Sequence, residues 1–236
     1  MVSVKEVLKQ LESKSRRDQL GGMARYGMNI ENRLGVSIPE LRKMAKTIGK
    51  DHTLALDLWK TGIADAKILA AMVDDPALLE DEQMERWVVD IDSWDVGDQV
   101  CMNLFDKSHL AWRKVDEWSK RKEEFVKRTA FGLLACLAWH DKKADDEKFV
   151  QLFHVFMRGA DDERNSVKKA ASWALRNIGK RNLKLNRAAI DEANRVRLMN
   201  SKNARWIAAD VIRELASEAV QKRLKIKLKK RATIQG

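Results

Sequence analysis

Trp94 and Asp98 stand four residues apart in the run Asp92-Ser93-Trp94-Asp95-Val96-Gly97-Asp98, a spacing that sets two side chains on one face of a helix. A carboxylate beside an indole makes a corner that welcomes a cation. Asp92 or Ser93 reads as the helix cap and Asp95 as an ordinary first-turn acid, which the helix dipole favours. Asp98 lies beyond the turn that capping explains. One chemistry that calls for such an acid is glycosidic-bond cleavage, whose oxocarbenium-like sugar a carboxylate stabilises while orienting the attacking water. A leaving base that is already cationic needs no strong general acid, so one Asp among aromatic faces would suffice. The plain alternative is a core indole and a surface carboxylate.

A second constellation lies in 166–180, where Val167, Ala171, Ala174, Leu175 and Ile178 recur at helical spacing and face inward. Lys169, Trp173, Arg176 and Lys180 make another stripe on the same segment, cations around one large aromatic. Cations hold phosphates and an indole meets a sugar or base, so the stripe points to nucleic acid. Its bland reading is a half-buried tryptophan packed against a neighbouring helix under snorkelling Lys and Arg stems.

Other reactive side chains form no pattern. Cys101 and Cys136 sit in apolar helical contexts without a neighbouring Cys or His, which reads as two buried thiols and neither a disulfide nor a metal site. His52, His109, His140 and His154 are scattered and belong to no nucleophile–base or metal-ligand motif. No metal and no cofactor is expected.

The elements that must position these residues are helices. Among 236 residues there are 2 Pro and 11 Gly, in a background of the strong helix formers Ala, Leu, Lys, Glu and Arg. Ser3 to Glu6 and Ser37 to Glu40, the latter with Pro39 in its first turn, read as capping boxes. Between them the glycines of 21–28 suggest a turn or short helix that presents Tyr26, the only tyrosine. Further apolar-periodic segments lie at 51–60, 63–73, 81–91, 94–105, 108–118, 122–140, 146–158, 165–179, 184–198 and 203–220.

Several of these segments repeat a basic residue beside a small one: Asp65-Ala66-Lys67, Lys127-Arg128-Thr129-Ala130, Lys168-Lys169-Ala170 and Asn203-Ala204-Arg205. Spacings of this order match two-helix repeats that stack as a solenoid. The expected fold is therefore all-α, a HEAT-like helical-repeat solenoid (an α-α superhelix) whose concave groove collects the basic residues into one track. With no linker or low-complexity break, residues 1–221 read as a single domain and 222–236 as a basic C-terminal tail, either a phosphate clamp or a disordered solubilising segment. The 46 Lys and Arg against 35 Asp and Glu leave a net charge of +11, which favours a polyanionic partner or an anionic membrane surface. No apolar run reaches the length of a bilayer crossing and the start is not a signal peptide, so a cytoplasmic protein is expected.

Taken together these motifs resemble the AlkD family of alkylpurine DNA glycosylases, HEAT-like repeat proteins acting on N3- and N7-alkylated purines. The resemblance runs over nearly the whole chain. Its W-x-x-x-D motif matches Trp94 and Asp98, its helix-start basic residue matches Arg128, and its K-x-x-x-W-x-L-R pattern matches Lys169, Trp173, Leu175 and Arg176. Tyr26 falls where the family has an N-terminal aromatic. The resemblance implies that Asp98 stabilises the sugar cation and positions water, that Trp94 and Trp173 face the deoxyribose, and that Arg128 contacts the phosphate backbone. Lys169, Arg176, Lys180, Arg205 and the basic tail would be phosphate clamps. The partner implied is double-stranded DNA containing alkylated bases, bound by a monomer without cofactor. Two other uses of the scaffold stay open: a non-catalytic DNA-binding protein, and a protein-interaction scaffold.

Overall fold

The computed structural model describes residues 2–235, and the side chains of residues 2–229. Among the described residues all regular structure is helical, in the HEAT-like repeat arrangement that the pattern predicts. The chain divides into two compact units, Met1–Ala111 and Trp112–Gly236.

The first unit holds α1 (Val4–Ser13), α2 (Leu20–Arg25), α3 (Ile38–Ile48), α4 (His52–Lys60), α5 (Ala64–Val73), α6 (Asp81–Val89) and α7 (Trp94–Asn103). α1 begins with the full capping box: the Glu6 amide donates to Ser3 Oγ at 3.3 Å and the Ser3 amide donates to the Glu6 carboxylate at 2.8 Å. At α3 the box is half made. Ser37 Oγ accepts from the Glu40 amide at 3.4 Å, but the Glu40 carboxylate turns instead to Lys14 at 2.9 Å and Lys43 at 2.6 Å. α5 packs on α3, α4 and α7 and is buried almost all round, as a helix whose apolar residues occupy every face must be.

Burial of α5 corrects the reading of its repeat motif. Lys67, expected on the basic track, is 8 % exposed; its Nζ donates to the Asp90 carbonyl at 2.7 Å and lies 5.4 Å above Trp59, which itself stacks on Trp87. Asp65 is equally internal, and its two oxygens accept the Leu34 and Val36 amides at 2.7 Å each. It thereby fixes the irregular stretch between α2 and α3 with charge-assisted bonds.

The second unit holds α8 (Ala111–Ser119), α9 (Glu124–His140), α10 (Asp146–Gln151), α11 (His154–Ala160), α12 (Asn165–Gly179), α13 (Leu183–Arg197), α14 (Lys202–Leu215) and α15 (Glu218–Gln235). α9, α12 and α14 pack one on the next, and α11 and α13 form a second layer against them. Two small residues allow the close approach: a Cβ on Gly159 would lie 2.6 Å from the Phe131 ring, and one on Gly179 would collide with Leu215. Two expected helices are each broken in two. At 152–153 the backbone tightens to three-residue hydrogen bonds, which separates α10 from α11. At 216–217 Ser217 Oγ donates to the Glu214 carbonyl at 2.7 Å and accepts the Val220 amide at 3.4 Å, closing α14 and opening α15.

α15 contains the described part of the basic segment 222–236, which is helical and not an irregular tail. Val220 and Leu224 are buried, and Lys227 Nζ donates to the Lys180 carbonyl at 2.8 Å. The side chains of Lys230 and Arg231, counted among the expected phosphate clamps, lie outside the described residues.

Candidate nucleic-acid interface and catalytic residues

In the first unit the site is built at the start of α7. Its N-cap is Ser93, yet the Ser93 hydroxyl makes no capping bond to α7; it accepts the Asn29 amide at 3.1 Å and donates to Asp95 at 2.5 Å. Asp92 accepts from the Asn29 side-chain amide at 2.7 Å, and Asp95 takes both arms of Arg33 at 2.7 and 3.0 Å. The Arg33–Asp95 pair is buried, with side chains 4 % and 14 % exposed. Asp92 and Asp95 are therefore fasteners for the segment after α2, a use that sequence reading assigned to capping alone.

That fastening carries Tyr26 to Trp94. The Trp94 indole N–H donates to the Tyr26 carbonyl at 3.1 Å, while the Tyr26 ring projects outward and is 79 % exposed. Asp98 lies one turn further along α7, half-buried like Trp94. A shallow hollow of about 430 Å³ beside Tyr26, lined also by Met23, Met28 and Gly22, gives the aromatic an apolar flank. The first unit thus brings together three of the residues singled out from sequence: Tyr26, Trp94 and Asp98.

In the second unit the remaining residues separate by environment. Arg128, on α9, is only 6 % exposed and is held among neighbouring groups. Lys169 and Arg205 are exposed on α12 and α14 and make no ion pair among the described residues. Arg176 and Lys180 are already engaged: Arg176 meets Asp210 at 3.3 Å and also Glu214, and Lys180 meets Glu214. Burial alone would raise the Glu214 carboxyl, but hydrogen bonds from Lys180 and Arg176 outweigh it and hold the group below its usual range. Any phosphate at these two cations competes with α14.

Trp173 is half-buried and lines a cleft of about 590 Å³ within the second unit, between the end of α9, α12 and α15. Trp139 lines the same cleft and is 53 % exposed. Sequence reading passed over Trp139, Arg223 and Lys227 as partners of Trp173, because nothing in their spacing reveals that helices far apart in the chain meet there. The Lys168 ammonium lies 4.8 Å above Trp206, the residue next to Arg205 in sequence.

Cys101 and Cys136 are both buried, as their apolar helical contexts predict. His52 meets the buried Asp74 at 2.6 Å and His154 meets Asp116 at 2.8 Å, so both join structural networks. Among the described residues no group of His, Cys, Asp and Glu is arranged to hold a metal ion, and no helix is long and apolar enough to cross a membrane.

Among the described residues the fold is that of a HEAT-like helical-repeat protein. Residues 7–219 match the model of the DNA alkylation repair enzyme family, and the chain belongs to that family. A solved structure described as a member of a new family related to the HEAT-like repeat DNA glycosylases, with affinity for branched DNA structures, superposes with a TM-score of 0.76 at 20 % identity, over 94 % of this chain and 96 % of that one. A designed armadillo repeat protein in complex with the peptide (KR)4 superposes with a TM-score of 0.40 at 15 % identity, over 78 % of each chain. No curated protein matches the sequence.

Proposed function

We propose that this protein is a monofunctional DNA glycosylase that hydrolyses the N-glycosidic bond of positively charged N3- or N7-alkylated purines in duplex DNA. The observation that carries the reading is the joining of Tyr26 to Trp94 at the start of α7, with Asp98 one turn on, after Asp92 and Asp95 are taken up by Asn29 and Arg33. An acid that stays on a surface meant for DNA weakens phosphate binding unless it acts on developing positive charge.

In this reading the bond electrons leave with the cationic base, which departs neutral, and water adds to the sugar carbon. Asp98 stabilises the oxocarbenium-like sugar, orients the water and receives its proton for release to solvent. Trp94 and Trp173 contact the deoxyribose and Tyr26 borders the lesion, while Arg128, buried in the free protein, has to turn outward to steady the adjoining phosphate. Lys169 and Arg205 supply phosphate contacts, with Arg176 and Lys180 exchanging part of their α14 pairing for DNA. Residues 1–221 act as one functional domain, as a cytoplasmic monomer that needs neither metal nor cofactor.

The test is release of 7-methylguanine from methylated duplex DNA by the purified chain. Release by the wild type and its loss in Asp98→Asn support the reading; no release by a folded, DNA-binding wild type removes it. A second reading, binding to branched DNA without catalysis, is favoured by the burial of Arg128 and by the affinity described for the superposed relative. In that case a three-way junction is bound tightly and no base is released.

A further inference from the structure

We propose that the cleft between the end of α9, α12 and α15 is a subsite for an unpaired nucleotide of DNA, with Trp139 as its stacking platform. The inference rests on the reading that the chain binds DNA, but not on its being a glycosylase.

Three observations carry it. First, Trp139 is a large aromatic kept at 53 % exposure at the last turn of α9, stacked on His140 with ring centroids 5.0 Å apart. Exposure of an indole at a cleft wall leaves about 1–3 kcal/mol of base stacking to be gained per nucleotide. Second, the charged side chains lining the cleft are Lys142, Lys180, Arg181, Arg223 and Lys227, with no acid among them. Lys142, Arg181 and Lys227 each donate to backbone carbonyls, those of Trp139, Ala138 with Asp141, and Lys180 respectively. These bonds fix where the three cations sit, while Lys180 also meets Glu214. Third, about 590 Å³ is of the size that holds a small organic ligand, and too narrow for a duplex.

Together these features match the chemistry of a nucleotide whose base has left the stack: an aromatic face beside a phosphate. A paired base keeps its faces covered by its neighbours and cannot use Trp139. α15 is then a working wall of the protein, contributing Arg223 and Lys227 to the site. This gives the basic segment that follows residue 221 a specific role in place of general attraction for polyanions.

The experiment measures affinity of the full chain, by anisotropy at fixed salt, for one duplex carrying either an oligothymidine extension or an abasic extension with equal phosphates. The expected result is about tenfold tighter binding of the oligothymidine form, the factor given by about 1.4 kcal/mol. Trp139→Ala removes that preference while leaving the abasic form bound as before, and Trp139→Phe keeps most of it. Arg223→Ala weakens both forms alike. Equal affinity of the wild type for the two extensions, as a surface for acidic proteins would show, overturns the proposal. So does a preference that survives Trp139→Ala. Absence of base release with the preference intact overturns the glycosylase reading alone, and Asp98→Asn keeps the preference in either case.

Discussion

The indole N–H of Trp94 donates to the backbone carbonyl of Tyr26 at 3.1 Å, across 68 residues of sequence. The residue that closes the short helix α2 is thereby locked to the first residue of α7. The bond ties the edge of the indole to the backbone that closes α2. Trp94→Phe keeps an aromatic ring but loses the donor. The expected outcome is a fall in base release of about tenfold, the size of a lost hydrogen bond to an exposed carbonyl, with duplex affinity little changed; single-turnover excision kinetics and binding measured together check it.

Asp95 and Asp98 are three residues apart and are assigned opposite duties. Asp95→Asn strips the charge partner from a guanidinium that is almost fully buried, so a stability loss of about 3 kcal/mol is expected. Asp98→Asn is expected to leave the unfolding midpoint near that of the wild type, abolish excision and preserve or improve duplex binding, because a repulsive charge is gone. Denaturant melts of both variants beside a base-release assay decide it. A stable Asp95→Asn protein, or an active Asp98→Asn one, contradicts the division.

Lys169 and Arg176 belong to one stripe in sequence but differ in three dimensions. Lys169→Ala removes an exposed cation, so the slope of log affinity against log salt should fall by about one with stability intact. Arg176→Ala leaves Asp210 and Glu214 without that partner, and its main effect should be a lower melting temperature. Salt titrations and thermal melts on the same two proteins separate the effects.

Acid stability follows from three carboxylates of the second unit. Asp116 is held well below the ordinary carboxylate range by Arg158, Lys120 and His154. Burial raises Asp162, but Arg164 and Lys127 outweigh it, and Glu214 is lowered in the same way by Lys180 and Arg176. Each group binds its proton less readily folded than unfolded, so its contribution is complete above the ordinary carboxylate pKa of about 4 and is lost as pH falls through the lower folded values. Unfolding free energy should be flat with respect to these groups near neutrality and drop steeply below about pH 4. Asp162→Asn should flatten that drop.

Gly179→Ala places a methyl group against Leu215 where α12 meets α14. Overpacking of this kind costs about 1–3 kcal/mol, despite the gain in helix propensity. A melting temperature equal to or above that of the wild type would contradict the close approach.

Helix content, the repeat character and the Trp94–Asp98 spacing were legible from the sequence because they are local: periodicity of 3.6 residues, glycine breaks, and caps such as Ser3 with Glu6. The sense of a single charge was not. Lys67, Arg128, Lys169 and Arg205 occupy similar places in their repeats, yet Lys67 and Arg128 are buried while Lys169 and Arg205 are exposed. Likewise Asp92 looks like a cap and Asp95 like a first-turn acid until Asn29 and Arg33 arrive beside them. Sequence determines which face of each helix is apolar, and so the fold class and the family. Only the tertiary structure decides which polar groups neutralise one another, because an ion pair is set by distances of a few ångströms between segments that chain spacing leaves unrelated.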